Sequence, residues 1–117
     1  MICHFWTKKK FLKIPHTSGF DLIKIEDILY CEAEGNITKF FLSTGKKHVA
    51  SKTLGFYEEM LSNFGFFRVH AGYIVNLNFI EKYISSDRMI VMKTNTHVPI
   101  AQQRLTAFLT ALTHFAL

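Results

Sequence analysis

Short strand-like segments, closely spaced and divided by turn-forming residues, constrain this chain more than any other feature. They fall at residues 10–14, 29–33, 37–42, 47–50, 67–70, 73–75, 82–85, 89–93 and 97–100, each close to the usual length of a strand. Between them stand Thr17-Ser18-Gly19, Glu34-Gly35-Asn36, Ser43-Thr44-Gly45, Ser86-Asp87 and Thr94-Asn95-Thr96. These residue types tolerate positive φ or hydrogen-bond their own backbone, so antiparallel hairpins are the natural outcome. The clearest hairpin joins 37–42 to 47–50 around Thr44-Gly45, and the next joins 89–93 to 97–100.

Two stretches change to a helical period. In residues 54–64, Leu54, Tyr57, Met60, Leu61 and Phe64 recur three and four apart, Glu58 and Glu59 face outward, and Ser51 or Thr53 can cap the start. In residues 102–112, Leu105, Phe108, Leu109 and Leu112 share one face. Both helices are thus expected to serve the core. The 117 residues and 49% hydrophobic content suffice for one continuous core, so the chain reads as one domain over 8–117 behind an extension or linker at 1–7.

Fourteen Lys and Arg against nine Asp and Glu give a net charge of +5, which favours a polyanionic partner. The cations are unevenly spread: residues 36–52 hold Lys39, Lys46, Lys47 and Lys52 without an acid, and after Asp87 there is no acid at all while Arg88, Lys93 and Arg104 follow. Two regions can therefore supply one positive face if the fold joins them, or remain a solvated surface if it does not. Cys3 and Cys31 stand far apart outside any CxxC spacing, which fits a reducing cytoplasm and indicates neither a disulfide framework nor a zinc site. The six His residues show no ligand spacing. A Gly-rich phosphate loop, HExxH, GxSxG and carboxylates paired in an apolar setting are all missing, so no catalytic residue, metal, cofactor or small-molecule substrate is expected.

The run Phe66-Phe67-Arg68-Val69-His70-Ala71-Gly72-Tyr73-Ile74-Val75-Asn76 resembles the central signature of the LytTR family of DNA-binding domains, approximately F-F-R-x-H-x-S-[YF]-[ILV]-V-N. Ile25-Glu26-Asp27-Ile28-Leu29-Tyr30-Cys31-Glu32-Ala33-Glu34-Gly35-Asn36 is similar to the family's opening D-I-x-Y-I-E-A-x-x-N, and Val98-Pro99-Ile100-Ala101 to its I-P-[VI]-S. The resemblance spans roughly residues 8 to 112. It implies a mainly β fold of about ten short strands in small sheets with two amphipathic helices. It also implies that loops, not a recognition helix, enter the major groove.

On that resemblance the DNA contacts fall at Asn36, Thr38 and Lys39, at Ala71 and Gly72 after the signature His70, and at Gln102, Gln103 and Arg104. Asn and Gln pair bidentately with adenine and Arg with guanine, so Asn36, Gln102, Gln103 and above all Arg104 are the base-reading candidates. Lys39, Lys46, Lys47 and Lys52 are cast as phosphate contacts. Other roles stand beside these: Asn36 as a turn residue, Gln102 as part of a helix start, Arg68 paired with an acid to hold the signature turn, and His70 hydrogen-bonded to backbone. The chain departs from the family where a polar or basic residue and then Ser usually follow the His, since Ala71-Gly72 stands there; a backbone N–H at Gly72 could still approach a phosphate. The expected partners are double-stranded DNA with paired direct repeats, a second copy bound alongside on DNA, and an upstream receiver domain. The alternative is a β-rich protein- or membrane-interaction module that has lost its DNA contacts.

Overall fold

Gly35, at φ 60°, closes the hairpin around which the molecule is organised, a left-handed conformation that glycine adopts without a Cβ penalty. On either side run β3 (Ile28–Glu34) and β4 (Ile37–Leu42). The computed structural model describes residues 10–115, so the extension expected at 1–7 and Cys3 lie outside the described residues. β5 (Lys47–Ala50), β6 (Phe66–His70) and β7 (Tyr73–Asn76) complete a five-stranded sheet in the order β5-β4-β3-β7-β6. β1 (Phe11–His16) and β2 (Gly19–Lys24) form a separate hairpin, and β8 (Ile80–Ile84), β9 (Met89–Met92) and β10 (His97–Pro99) a three-stranded sheet. Every pairing is antiparallel.

The mainly β expectation with two helices holds. β2 escapes the sequence pattern because only Ile23 of its six residues is buried, which leaves no alternation to detect. Short 3-10 turns at Ile25–Asp27 and Leu77–Phe79 were likewise unmarked by periodicity.

Cross-strand partners project to the same face of a sheet, and the five-stranded sheet accordingly builds two cores. Cys31, Phe40, Phe66 and Ile74 meet α1 (Leu54–Leu61) and the β1–β2 hairpin on one face. There the Phe40 and Tyr57 rings stand edge to face at 4.9 Å. Burying each side chain of this size contributes about 1.5–3 kcal/mol. On the other face Val69 and Val75 join Ile90, Met92, Val98 and Phe108, the last from α2 (Leu105–Phe115). Phe108 meets Phe67 of β6 at 5.9 Å.

Of the two caps considered for α1, Thr53 is the one used: its hydroxyl oxygen accepts from the Phe56 N–H at 3.4 Å. Three residues expected in the core do not reach it. Met60 (46% exposed) and Phe64 (37%) lie at the margin of α1, whose core face narrows to Leu54, Tyr57 and Leu61, and Leu109 (39%) lies beside the Phe108 face of α2. Each helix covers only part of a narrow sheet face, so one residue per turn is buried where the full apolar stripe was expected.

Candidate nucleic-acid interface

Strand register decides which candidate residues come together. β7 begins with Tyr73 opposite Glu32, near the end of β3, so the β3–β4 turn and the β6–β7 turn lie at one end of the five-stranded sheet. The Ala33 N–H donates to the Gly72 carbonyl at 2.9 Å and ties the two turns together. β5 ends with Ala50 opposite Thr38, so residues 51–53 leave from this end as well. The Ala101 N–H donates to the Val69 carbonyl at 2.9 Å, which lays the approach to α2 along β6 just before its turn.

Exposed at this end are Asn36, Ala71, Gln102 and Gln103. Arg104 is half-buried, and its Nη1 donates to the Arg68 carbonyl at 3.3 Å. The guanidinium makes no other hydrogen bond and no ion pair among the described residues, so its remaining donors are uncommitted. The fold adds a cation that the motifs did not single out: exposed Arg88 (φ 48°) accepts the Ile100 N–H at 3.0 Å through its carbonyl, next to the Ala101 segment. The acid-free stretch after Asp87 was the available signal.

The Ala71-Gly72 turn is held closely. Arg68 donates from Nη1 to Glu58 Oε1 at 2.9 Å and from Nη2 to the Ala71 carbonyl at 2.5 Å. The Gly72 N–H donates to His70 Nδ1 at 3.0 Å. Arg68 therefore pairs with an acid and His70 with backbone, as the sequence suggested. The Gly72 N–H, expected to be free for a phosphate, is instead satisfied by the imidazole.

Several candidates have other occupations. Thr38 is 0% exposed and donates its hydroxyl to the Lys52 carbonyl at 2.9 Å, so it fixes the connection after β5 and presents nothing at the surface; its position on the α1 side of β4 dictates this. Lys52 is exposed, with its ammonium 5.1 Å from the centre of the Phe56 ring, toward α1. Lys39 lies on the opposite face and is paired with Glu34. Its hydrogen bond to Glu34 raises the pKa of the ammonium, and the same bond lowers that of the carboxyl.

Lys47 shares the outward face of Lys39, because Phe41 pairs with Lys47 and Lys39 with Val49. Lys46 sits in the β4–β5 turn at the far end of the hairpin. The two clean basic stretches are therefore not one patch: Asn36, Lys39 and Arg104 belong to the end where the turns gather, and Lys46 does not. Beside Lys39 the outward face carries Tyr30 stacked on Phe41 at 4.6 Å, and Tyr73, whose hydroxyl donates to Glu32 at 3.1 Å. Burial, and then Glu32, raise the Tyr73 pKa.

Among the described residues no three His, Cys, Asp or Glu side chains are grouped to hold a metal, and no helix is long and apolar enough to cross a membrane.

The family model of the LytTr DNA-binding domain matches residues 18–113, most of the chain and all of the turns just described. The chain belongs to the LytTR family. The LytTR chain is 30% identical over 95 residues to the sensory transduction protein LytT of Bacillus cereus, and equally to that of Bacillus anthracis, covering 78% of its own length. It spans 38% of the length of these curated relatives. A solved LytTr DNA-binding domain from Bacillus cereus superposes with a TM-score of 0.75 at 24% identity, over 89% of this chain and 97% of that one. The shared fold is thus established over nearly the whole LytTR domain, and the family is one of DNA-binding domains and not of enzymes.

Proposed function

We propose that this LytTR domain binds specific duplex sites through the turns gathered at one end of its five-stranded sheet. The observation that supports this most is the tying of three separate connections to one another: Ala33 to Gly72 and Ala101 to Val69, each at 2.9 Å. Asn36, Gln102 and Gln103 then offer amide groups for adenine edges, and the uncommitted donors of Arg104 suit guanine O6 and N7. Lys39, Lys47 and Arg88 serve phosphates, as does Lys52 on the α1 side of the same end, with Lys46 reached only by a duplex that extends along the sheet to the far end of the hairpin. Both helices keep their buried residues against the sheet, so loops do the reading.

In its full-length setting the domain acts as the output of a cytoplasmic transcription regulator, joined to an upstream receiver domain and bound in pairs to direct repeats. The sensory transduction relatives, which are much longer than this chain, support that reading.

Selection of sites from random duplexes, followed by fluorescence anisotropy across salt concentrations, tests the proposal. If ~4 to 6 phosphates are neutralised, log Kd should vary with log salt with a slope of about 4 to 5 in magnitude. A flat salt response, or failure to enrich any sequence, refutes it.

The alternative of a protein-interaction module draws on one observation, the cluster of exposed Phe11, Phe56, Met60 and Phe64 between β1 and α1. A domain of that kind would bind selected and random duplexes equally weakly.

A further inference from the structure

One residue touches two of the connections proposed to meet DNA, the Ala71-Gly72 turn through its side chain and Arg104 through its backbone carbonyl. Arg68 lies on β6, on the face that meets α1, and its guanidinium is divided between two acceptors on different elements: Glu58 Oε1 of α1 at 2.9 Å and the Ala71 carbonyl of the turn at 2.5 Å. Its own carbonyl accepts Arg104 Nη1 at 3.3 Å. Its Nε is buried with no hydrogen-bond partner. A buried donor without a partner is uncommon and calls for a reason. Here the reason is geometric: a planar group whose two terminal nitrogens are aimed at acceptors on separate elements has no rotation left with which to serve the third.

We propose that Arg68 is a positioning residue for sequence discrimination, its side chain holding the Ala71-Gly72 turn in one fixed relation to α1 through Glu58, beside the Arg104 guanidinium that its backbone carbonyl accepts. The inference rests on the DNA-reading function proposed above. Ala71 and Gly72 offer no side chain long enough to find a base by itself, so what the turn contributes is the placement of its backbone and of its neighbours. Arg68 sets that placement without touching DNA. Lysine cannot substitute, because its ammonium is a point donor on a flexible stem and lacks the rigid fork that spans two acceptors. Since Arg68→Lys preserves charge, attraction to phosphates should be unchanged while discrimination falls.

The experiment compares the intact chain with Arg68→Lys and Glu58→Gln on the selected duplex and on a random duplex of equal length, at two salt concentrations and well below each variant's melting temperature. The expected result for Arg68→Lys is a loss of about tenfold in the ratio of selected to random affinity, with the salt slope kept. Glu58→Gln retains an oxygen acceptor for Arg68 and should show a smaller loss of the same kind. It also decides the matter should Arg68→Lys not fold. A purely structural role would lower melting temperature and leave the ratio at the wild-type value in the folded fraction, and that outcome overturns the proposal. So does an equal loss on both duplexes. If the unaltered chain itself shows no preference for any duplex, the DNA-reading function fails first, and the two failures are distinguished by that control.

Discussion

Ala71 and Gly72, in the β6–β7 turn, are held from outside by Arg68, His70 and Ala33, whereas residues 43–46, in the β4–β5 turn, bond largely among themselves. There the Leu42 N–H donates to the Lys46 carbonyl at 2.9 Å, the Gly45 N–H to the Leu42 carbonyl at 3.0 Å, and the Lys46 N–H to Thr44 Oγ1 at 3.5 Å, with the Ser43 N–H to the Asp27 carbonyl at 2.8 Å as the one outside tie among the described residues. The first turn is fixed in place and poor in side chains; the second is local and carries Lys46 beside Lys47. Fixed geometry serves discrimination, which depends on angles and distances to base edges. Charge serves affinity, which depends on little more than proximity to phosphates.

The largest expected effect undermines the held turn from below. Phe108 is fully buried and supports Phe67 on β6, so Phe108→Ala should cost about 3–5 kcal/mol of stability in a denaturant melt through lost burial and a residual cavity. Should the variant keep its stability and lose DNA binding, α2 reads DNA and the contrast between the turns is misplaced.

Next comes the contrast between Arg104 and Lys47. Arg104→Ala should weaken binding to the selected duplex by about 1–3 kcal/mol and random duplex less. Lys47→Ala should weaken both alike and lower the salt slope by about one. Equal losses on both duplexes for Arg104→Ala would make it a phosphate contact, and discrimination would have to come from Asn36 and the glutamines.

A gain of function sharpens the comparison further. Among the described residues a Cβ added at Gly72 would meet only His70 Nδ1, at an ordinary 3.6 Å, and the residue's φ is not positive. Gly72→Ser, which restores the residue usual in the family, should therefore leave the melting temperature within a few degrees and tighten binding by about 0.5–1.5 kcal/mol for one added hydrogen bond. A stability loss without tighter binding would show that the turn needs the glycine for its shape.

The smallest effect concerns Lys39. Glu34 holds its ammonium, so Glu34→Gln should strengthen binding to both duplexes by about twofold, as befits an exposed pair. A change confined to the selected duplex would move Lys39 from the phosphate contacts to the base readers.

The order of strands and turns, the existence of both helices, and the family itself were legible in the chain, because hairpins and amphipathic periods are local and a signature such as Phe66 to Asn76 is contiguous. Arg68 and His70 could be given structural partners in advance, since a cation and an imidazole beside a strand end must find acceptors or donors. Three things were decided only by tertiary structure. β2 became a strand by pairing with β1, with one buried residue of its own. Thr38 and Lys39 are adjacent in sequence and opposite in fate, one buried under Lys52 and the other paired with Glu34, because successive residues of a strand face opposite sides. Lys46 fell away from Asn36 because a hairpin returns the chain to the opposite end of the strand, a displacement set by strand register. Charge along a sequence announces that cations are present; which of them share a surface is fixed by pairings between residues that the sequence holds far apart.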